Sequence, residues 1–157
     1  MSIPVDALTD YADHAVDALT SIATSLGDDL SNQRPDLPGA NSPYAIVTHC
    51  LGVMAYWGGH VVAGRDVPRD RAAEFTATGR VTDLVAAAQQ AKIQFRADAL
   101  TADPPAPPRR PAARRGPDVL EVRSQGHALL HVLEELYQHL GQAELTRDLL
   151  LAHDSPG

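Results

Sequence analysis

The sequence predicts an all-α four-helix bundle. Four stretches place apolar residues at helical spacings of three and four, and none alternates apolar with polar residues as a half-buried strand does. Polar segments containing proline and glycine separate the four. At 157 residues the chain is expected to form a single domain, residues 1–157, long enough to bury a sizeable core.

The first helix is predicted from Val5 to Leu26, on Val5, Leu8, Ala12, Ala15, Leu19, Ile22 and Leu26, with Gly27 as its stop. The second opens with Ser42 as N-cap and Pro43 at the first helical position, where its missing N–H costs nothing. It runs through AIVTHCLGVMAYW to about Ala63 and is apolar enough to lie deep in the core. The third spans Thr82 to about Leu100. A Pro/Arg-rich linker follows, about 103–116, whose prolines prevent continuous helix; it would serve as the long crossover connection. The last helix is placed from Pro117 or Asp118 to about Ala152, with a bend or boundary near 123–126.

Hydrophobic residues make up 44% of the chain and charged residues 21%, both ordinary for a globular protein. Polar groups interrupt every apolar run, so no membrane span of roughly 18 residues is expected. The N-terminus lacks the basic and apolar regions of a secretory signal, and the lone Cys50 has no disulfide partner within the chain. A cytoplasmic location is the expectation. The net charge of −7 argues against nucleic acid as a partner. The local exception is PPAPPRRPAARRG, with Arg109, Arg110, Arg114 and Arg115. That run reads either as a basic loop that attracts an anionic cosubstrate or as a solvated polyproline-like linker. One lysine accompanies twelve arginines, a composition that hints at a high-GC genome.

Candidate chemistry begins in HVLEELYQHLGQ, where His131, Glu135 and His139 stand four residues apart and share one helix face. His49 sits in the most apolar stretch of the chain, where an unpartnered imidazole would be costly to bury. Bundle helices pack about 8–10 Å apart, so His49 from the second helix can meet an inward pair from the last. Three ligands, His49, Glu135 and His139, would leave a divalent ion with open positions, the pattern of a catalytic site. Without an ion, the same residues would form a buried hydrogen-bond network.

These stretches resemble a known family. NSPYAIVTHCLGVMAYWGGHVVAGRDVPRDRAAEF, followed much later by HVLEELYQHLGQAEL, is similar to the DinB-like superfamily. Within it, the chain looks most like the actinobacterial branch of mycothiol-dependent maleylpyruvate isomerases and mycothiol S-transferases. Asn41, Ser42 and His49 match that branch's helix-two opening, and His139, Gly141 and Gln142 match its last-helix ending. Glu135 stands where DinB proteins proper carry histidine. The resemblance implies a DinB-like four-helix bundle with a metal between its second and fourth helices. The ligands it implies are His49, Glu135 and His139, with zinc as the usual ion and nickel as the alternative. It also implies mycothiol, or a similar low-molecular-weight thiol, as cosubstrate.

The expected activity is therefore transfer of a thiol to an electrophilic small molecule, or thiol-assisted isomerisation. The alternatives are a non-catalytic metal- or ligand-binding bundle and a metal-dependent hydrolase on the same site. Maleylpyruvate isomerase carries a further C-terminal domain; with the sequence read to Gly157, the expectation is a protein acting without one, performing another thiol transfer with a homodimer partner supplying the missing contacts. His131, Gln142 and Tyr137 are the candidates for supporting the ligands from behind; Glu134 reads as solvated. His60 lies three turns from His49, too far to share its ion. Cys50 reads as a buried inert thiol, Met54, Tyr56 and Trp57 as core, and His14, His127 and His153 as surface.

Overall fold

The computed structural model describes residues 3–112 and 121–154, with the side chains of 153 and 154 left aside. All regular structure among the described residues is helical: α1 (Val5–Ser31), α2 (Pro43–Met54) continuing as a π-helical segment (Ala55–Val62), α3 (Arg71–Glu74), α4 (Val81–Leu100) and α5 (Gln125–Asp154). The start of α2 is as predicted, because the Ser42 hydroxyl accepts the Ala45 N–H at 3.2 Å and Pro43 leads the first turn.

Several boundaries differ from expectation. Gly27 does not stop α1 but kinks it, at φ 69° and ψ 179°, after which the helix resumes to Ser31. The Ser31 hydroxyl donates to the Ala23 carbonyl at 2.8 Å, a side-chain tie that spans the kink. The predicted start of α5 at 117 or 118 lies outside the described residues. Residues 121–124 are not helical, so α5 begins at Gln125, within the stretch where a boundary was expected. The one-turn α3 was not expected at all; Asp70 caps it by accepting the Ala73 N–H at 3.0 Å.

α1 packs against α2, α4 and α5, and α2 lies against α1, α4 and α5, with α3 folded onto its outer side. Buried apolar residues from all four long helices, among them Leu19, Ile46, Val53, Phe95, Val132 and Leu136, form one continuous cluster. Pro43–Val62 is long and apolar enough to cross a membrane, with a mean hydropathy of 1.3, which corrects the expectation that no such run exists. In the fold 67% of its most apolar window is buried against the other helices, the behaviour of a core helix.

The described part of the linker is pinned to the helices. The Arg109 N–H donates to Val61 O, and the Gln125 and Gly126 N–H groups donate to Ala106 and Pro104 carbonyls, each at 2.9 Å. Gln125 returns the contact through its side chain, accepting from the Asp103 N–H and donating to Pro107 O. This docking sets where α5 starts and thereby how its face meets α2.

Candidate metal centre

Helix α2 carries His49 into the core, completely buried, while α5 turns His131, Glu135 and His139 toward it. Glu135 Oε2 lies 3.5 Å from His49 Nε2 and 3.3 Å from His139 Nε2. The two imidazole rings meet edge to face, their centroids 4.6 Å apart. One donor atom from each of His49, Glu135 and His139 thus falls within 4.8 Å of the others.

The two Glu135 distances fit a metal ion. A tetrahedral zinc with bonds of about 2.0–2.2 Å holds its donors roughly 3.3–3.6 Å apart. The donor set of two imidazoles and one carboxylate is one that zinc takes. His49 Nε2 provides an independent sign: it is buried, faces Glu135 and has no hydrogen-bond partner of good geometry. A buried nitrogen in that condition is costly unless something binds it.

The opposite ring nitrogens are both engaged. His49 Nδ1 lies 2.8 Å from Glu74 Oε2, and His139 Nδ1 lies 2.7 Å from Gln142 Oε1. An acceptor at Nδ1 places the proton there and leaves Nε2 as a lone pair aimed inward. Gln142 is thus in contact with the outer nitrogen of His139. His131 Nε2 lies 3.1 Å from Glu135 Oε1, the carboxylate oxygen other than the one facing His49 and His139, and its Nδ1 lies 2.9 Å from Glu134 Oε2. Glu134 is exposed, as expected, but reaches His131.

Glu74 is the residue that sequence reading missed. It is 9% exposed, belongs to the unexpected α3, and is held by Arg69, whose Nε and Nη2 donate to its two oxygens at 2.7 and 2.9 Å. Burial alone would raise its pKa, but hydrogen bonds from His49 and Arg69 outweigh that and keep the carboxyl below its ordinary range. For His49, burial opposes the charged form, yet the Glu135 and Glu74 carboxylates beside its two ring nitrogens raise its pKa above the ordinary value. The ring of Phe75 stacks on His49 at 4.4 Å, and the Arg71 guanidinium lies over Phe75 at 5.3 Å, so a cation caps the outer side of this wall.

Other candidates lie elsewhere. The Tyr137 hydroxyl donates to the Tyr11 carbonyl of α1 at 3.1 Å, so Tyr137 ties α5 to α1 and does not support a ligand. Arg109 donates to the Thr101 hydroxyl and carbonyl, and Arg110 donates to Gly64 O and reaches Asp66. Both serve the far end of the helix from His49, on the order of 20 Å along its axis, and are not brought to the cluster. Arg114 and Arg115 lie outside the described residues. His60 stacks on Tyr56, Trp57 is core beside the His131 ring, and His14 and His127 are exposed, while the His153 side chain is not described. Cys50 is buried and its thiol pKa is pushed up, first by burial and then by Glu135 and Glu74, the setting of an inert core thiol. A groove of about 570 Å³ opens beside Gln142, between the α1–α2 loop and α5, with Leu37, Pro38, Leu145 and Leu149 on its walls.

The comparison with known families decides the wider identity. The family model described as mycothiol-S-transferase matches residues 7–152. The chain belongs to the mycothiol-S-transferase family. The match spans α1 to α5 and agrees with the resemblance read from the helix-two and last-helix motifs. No curated protein matches the chain. As a mycothiol-S-transferase family member, the chain carries the His49–Glu135–His139 cluster at the meeting of the two helices that bear those motifs.

Proposed function

We propose that this chain is a metal-dependent thiol S-transferase. On this reading its long helices act as one DinB-like four-helix-bundle domain, and His49, Glu135 and His139 hold a divalent ion, zinc on the chemistry of the donors. The observation that carries the reading is the convergence of two imidazole Nε2 atoms on one Glu135 oxygen, with both Nδ1 atoms already occupied. Family membership supports mycothiol as the thiol.

When bound, the ion supplies a Lewis acid beside which a thiol loses its proton near neutral pH. Glu135 contributes one negative charge and the two imidazoles none, so the centre stays net positive and favours the thiolate. His131 holds the second oxygen of Glu135, and Gln142 holds the ring of His139, so the donors are in place before substrate arrives. The thiolate sulfur then forms a bond to an electrophilic carbon. In displacement, the leaving group departs with its electron pair; in addition to a double bond, a proton joins the neighbouring carbon. The groove beside Gln142 has the volume of a small-molecule site and apolar walls, which suits the carbon skeleton of the electrophile.

The test is metal content by plasma mass spectrometry on protein purified without a histidine tag, beside His139→Ala. About one divalent ion per chain, lost in the variant, is the expected result, followed by consumption of mycothiol with a simple electrophile such as a haloarene. Absence of metal in both, even after zinc addition and dialysis, would leave a core network and a binding-only bundle. Turnover by water without thiol would instead make the protein a hydrolase.

A further inference from the structure

We propose that Glu74 is a positioning residue that selects the tautomer of His49 against a competing donor, Arg69, in space left open by Gly52. The inference rests on the reading above, in which His49 Nε2 is a metal donor.

His49 Nδ1 has two neighbours, Glu74 Oε2 at 2.8 Å and Arg69 Nη2 at 3.3 Å, and they ask for opposite tautomers. A carboxylate only accepts, so its contact requires the proton on Nδ1 and leaves the Nε2 lone pair for an ion. A guanidinium only donates, so an Arg69–Nδ1 bond would require a bare Nδ1 and a proton on Nε2. That proton would point at Glu135 and occupy the place of the metal. Glu74 prevents this twice over. It lies closer to Nδ1, and it engages both Arg69 Nε and Nη2, so the guanidinium edge beside His49 is turned to the carboxylate.

The carboxylate reaches Nδ1 because α2 has no side chain at Gly52, one turn after His49. A Cβ built there would run into Glu74 Oε1 and come within 2.6 Å of its Cδ. Alanine at position 52 would therefore expel the carboxylate without touching any ligand. The Gly52→Ala variant is expected to fold, since a pocket of about 260 Å³, lined by Thr48, Ala55, Val67, Arg69 and Glu74, can receive the displaced group. Alanine also favours helix over glycine.

The test compares the full-length wild type with Glu74→Ala, Gly52→Ala, the double variant and Glu74→Gln. Zinc affinity is read by competition with a chelating dye. Nitrogen-15 NMR of the metal-free proteins, taken at a pH above the His49 pKa where the ring carries a single proton, reads the His49 tautomer. Glu74→Ala and Gly52→Ala are each expected to weaken zinc about 10- to 100-fold while keeping one site per chain. Glu74→Ala should move the His49 proton from Nδ1 to Nε2. The double variant should be no weaker than Glu74→Ala, because both changes act through one carboxylate. Glu74→Gln, which retains an acceptor and the side-chain volume, should fall between wild type and Glu74→Ala. Unchanged affinity and tautomer in Glu74→Ala, with a wild type that binds zinc, overturn the inference and leave the proposed function standing. Additive losses in the double variant also overturn it. A wild type that takes up no zinc sinks both.

Discussion

At the scale of single residues, the candidate centre is a set of nitrogen and oxygen atoms whose protons are directed by their neighbours. Glu74 and Gln142 occupy the outer nitrogens of His49 and His139, and Glu135 faces the inner ones. Two opposite pH effects follow for His49. In the metal-free protein its folded pKa lies above 6.5, so the stability it contributes is fully present below 6.5 and lost as pH rises through the raised value. With zinc the direction reverses, because the ion must displace the proton from Nε2. Chelator competition between about pH 6 and pH 8 should show zinc affinity rising with pH. The denaturation midpoint of the metal-free protein should fall over the same range. A zinc affinity independent of pH there would argue against His49 as a donor.

At the scale of elements, two helices depart from ideality at or beside a glycine, and the two glycines act differently. The π-helical segment brings Gly58 against α4, where a Cβ would lie 2.6 Å from the Phe95 ring, so only a bare backbone admits that ring. Gly27 kinks α1 in a region of backbone space that is essentially confined to glycine, and nothing lies within 4 Å of where its Cβ would be. Substitution there meets no steric neighbour, so its whole cost is conformational. Gly27→Ala is expected to destabilise the protein by about 1–3 kcal/mol, read from urea unfolding, with zinc binding per folded chain unchanged. A neutral substitution would mean that α1 straightens at no cost. The distant α3 shows the reverse relation: one turn of helix, weakly specified by its own residues, delivers the carboxylate on which His49 leans.

For the whole molecule, the proposed ligands come from α2 and α5, and their supports come from α3 and from α5 itself. An ion would therefore bind two helices far apart in the chain and should stabilise the folded state as a whole. Zinc at 100 times its dissociation constant should add about 2.7 kcal/mol to wild-type stability, seen as a raised thermal midpoint that EDTA reverses. His139→Ala should show no such rise. Equal shifts in both proteins would place the zinc elsewhere.

The sequence alone determined the helical class, the boundaries of α4, the capped start of α2 and the convergence of His49, Glu135 and His139. These were legible because they depend on local spacing: 3.6-residue periodicity, Pro after Ser, and histidine and glutamate four apart on one face. The family motifs lie in the same two stretches. Local spacing said nothing of Glu74, because the contact with His49 joins residues 25 apart and runs through a single helical turn without periodicity. It also could not separate Arg109 and Arg110 from the site, since both readings of a basic linker share one composition. Only the tertiary structure decided which arginine stands beside His49 and which glycine leaves room for the carboxylate between them. The physical reason is that a proton's position on an imidazole depends on atoms within about 3 Å. Distances of that kind are set when helices pack, not by the order of residues along any one of them.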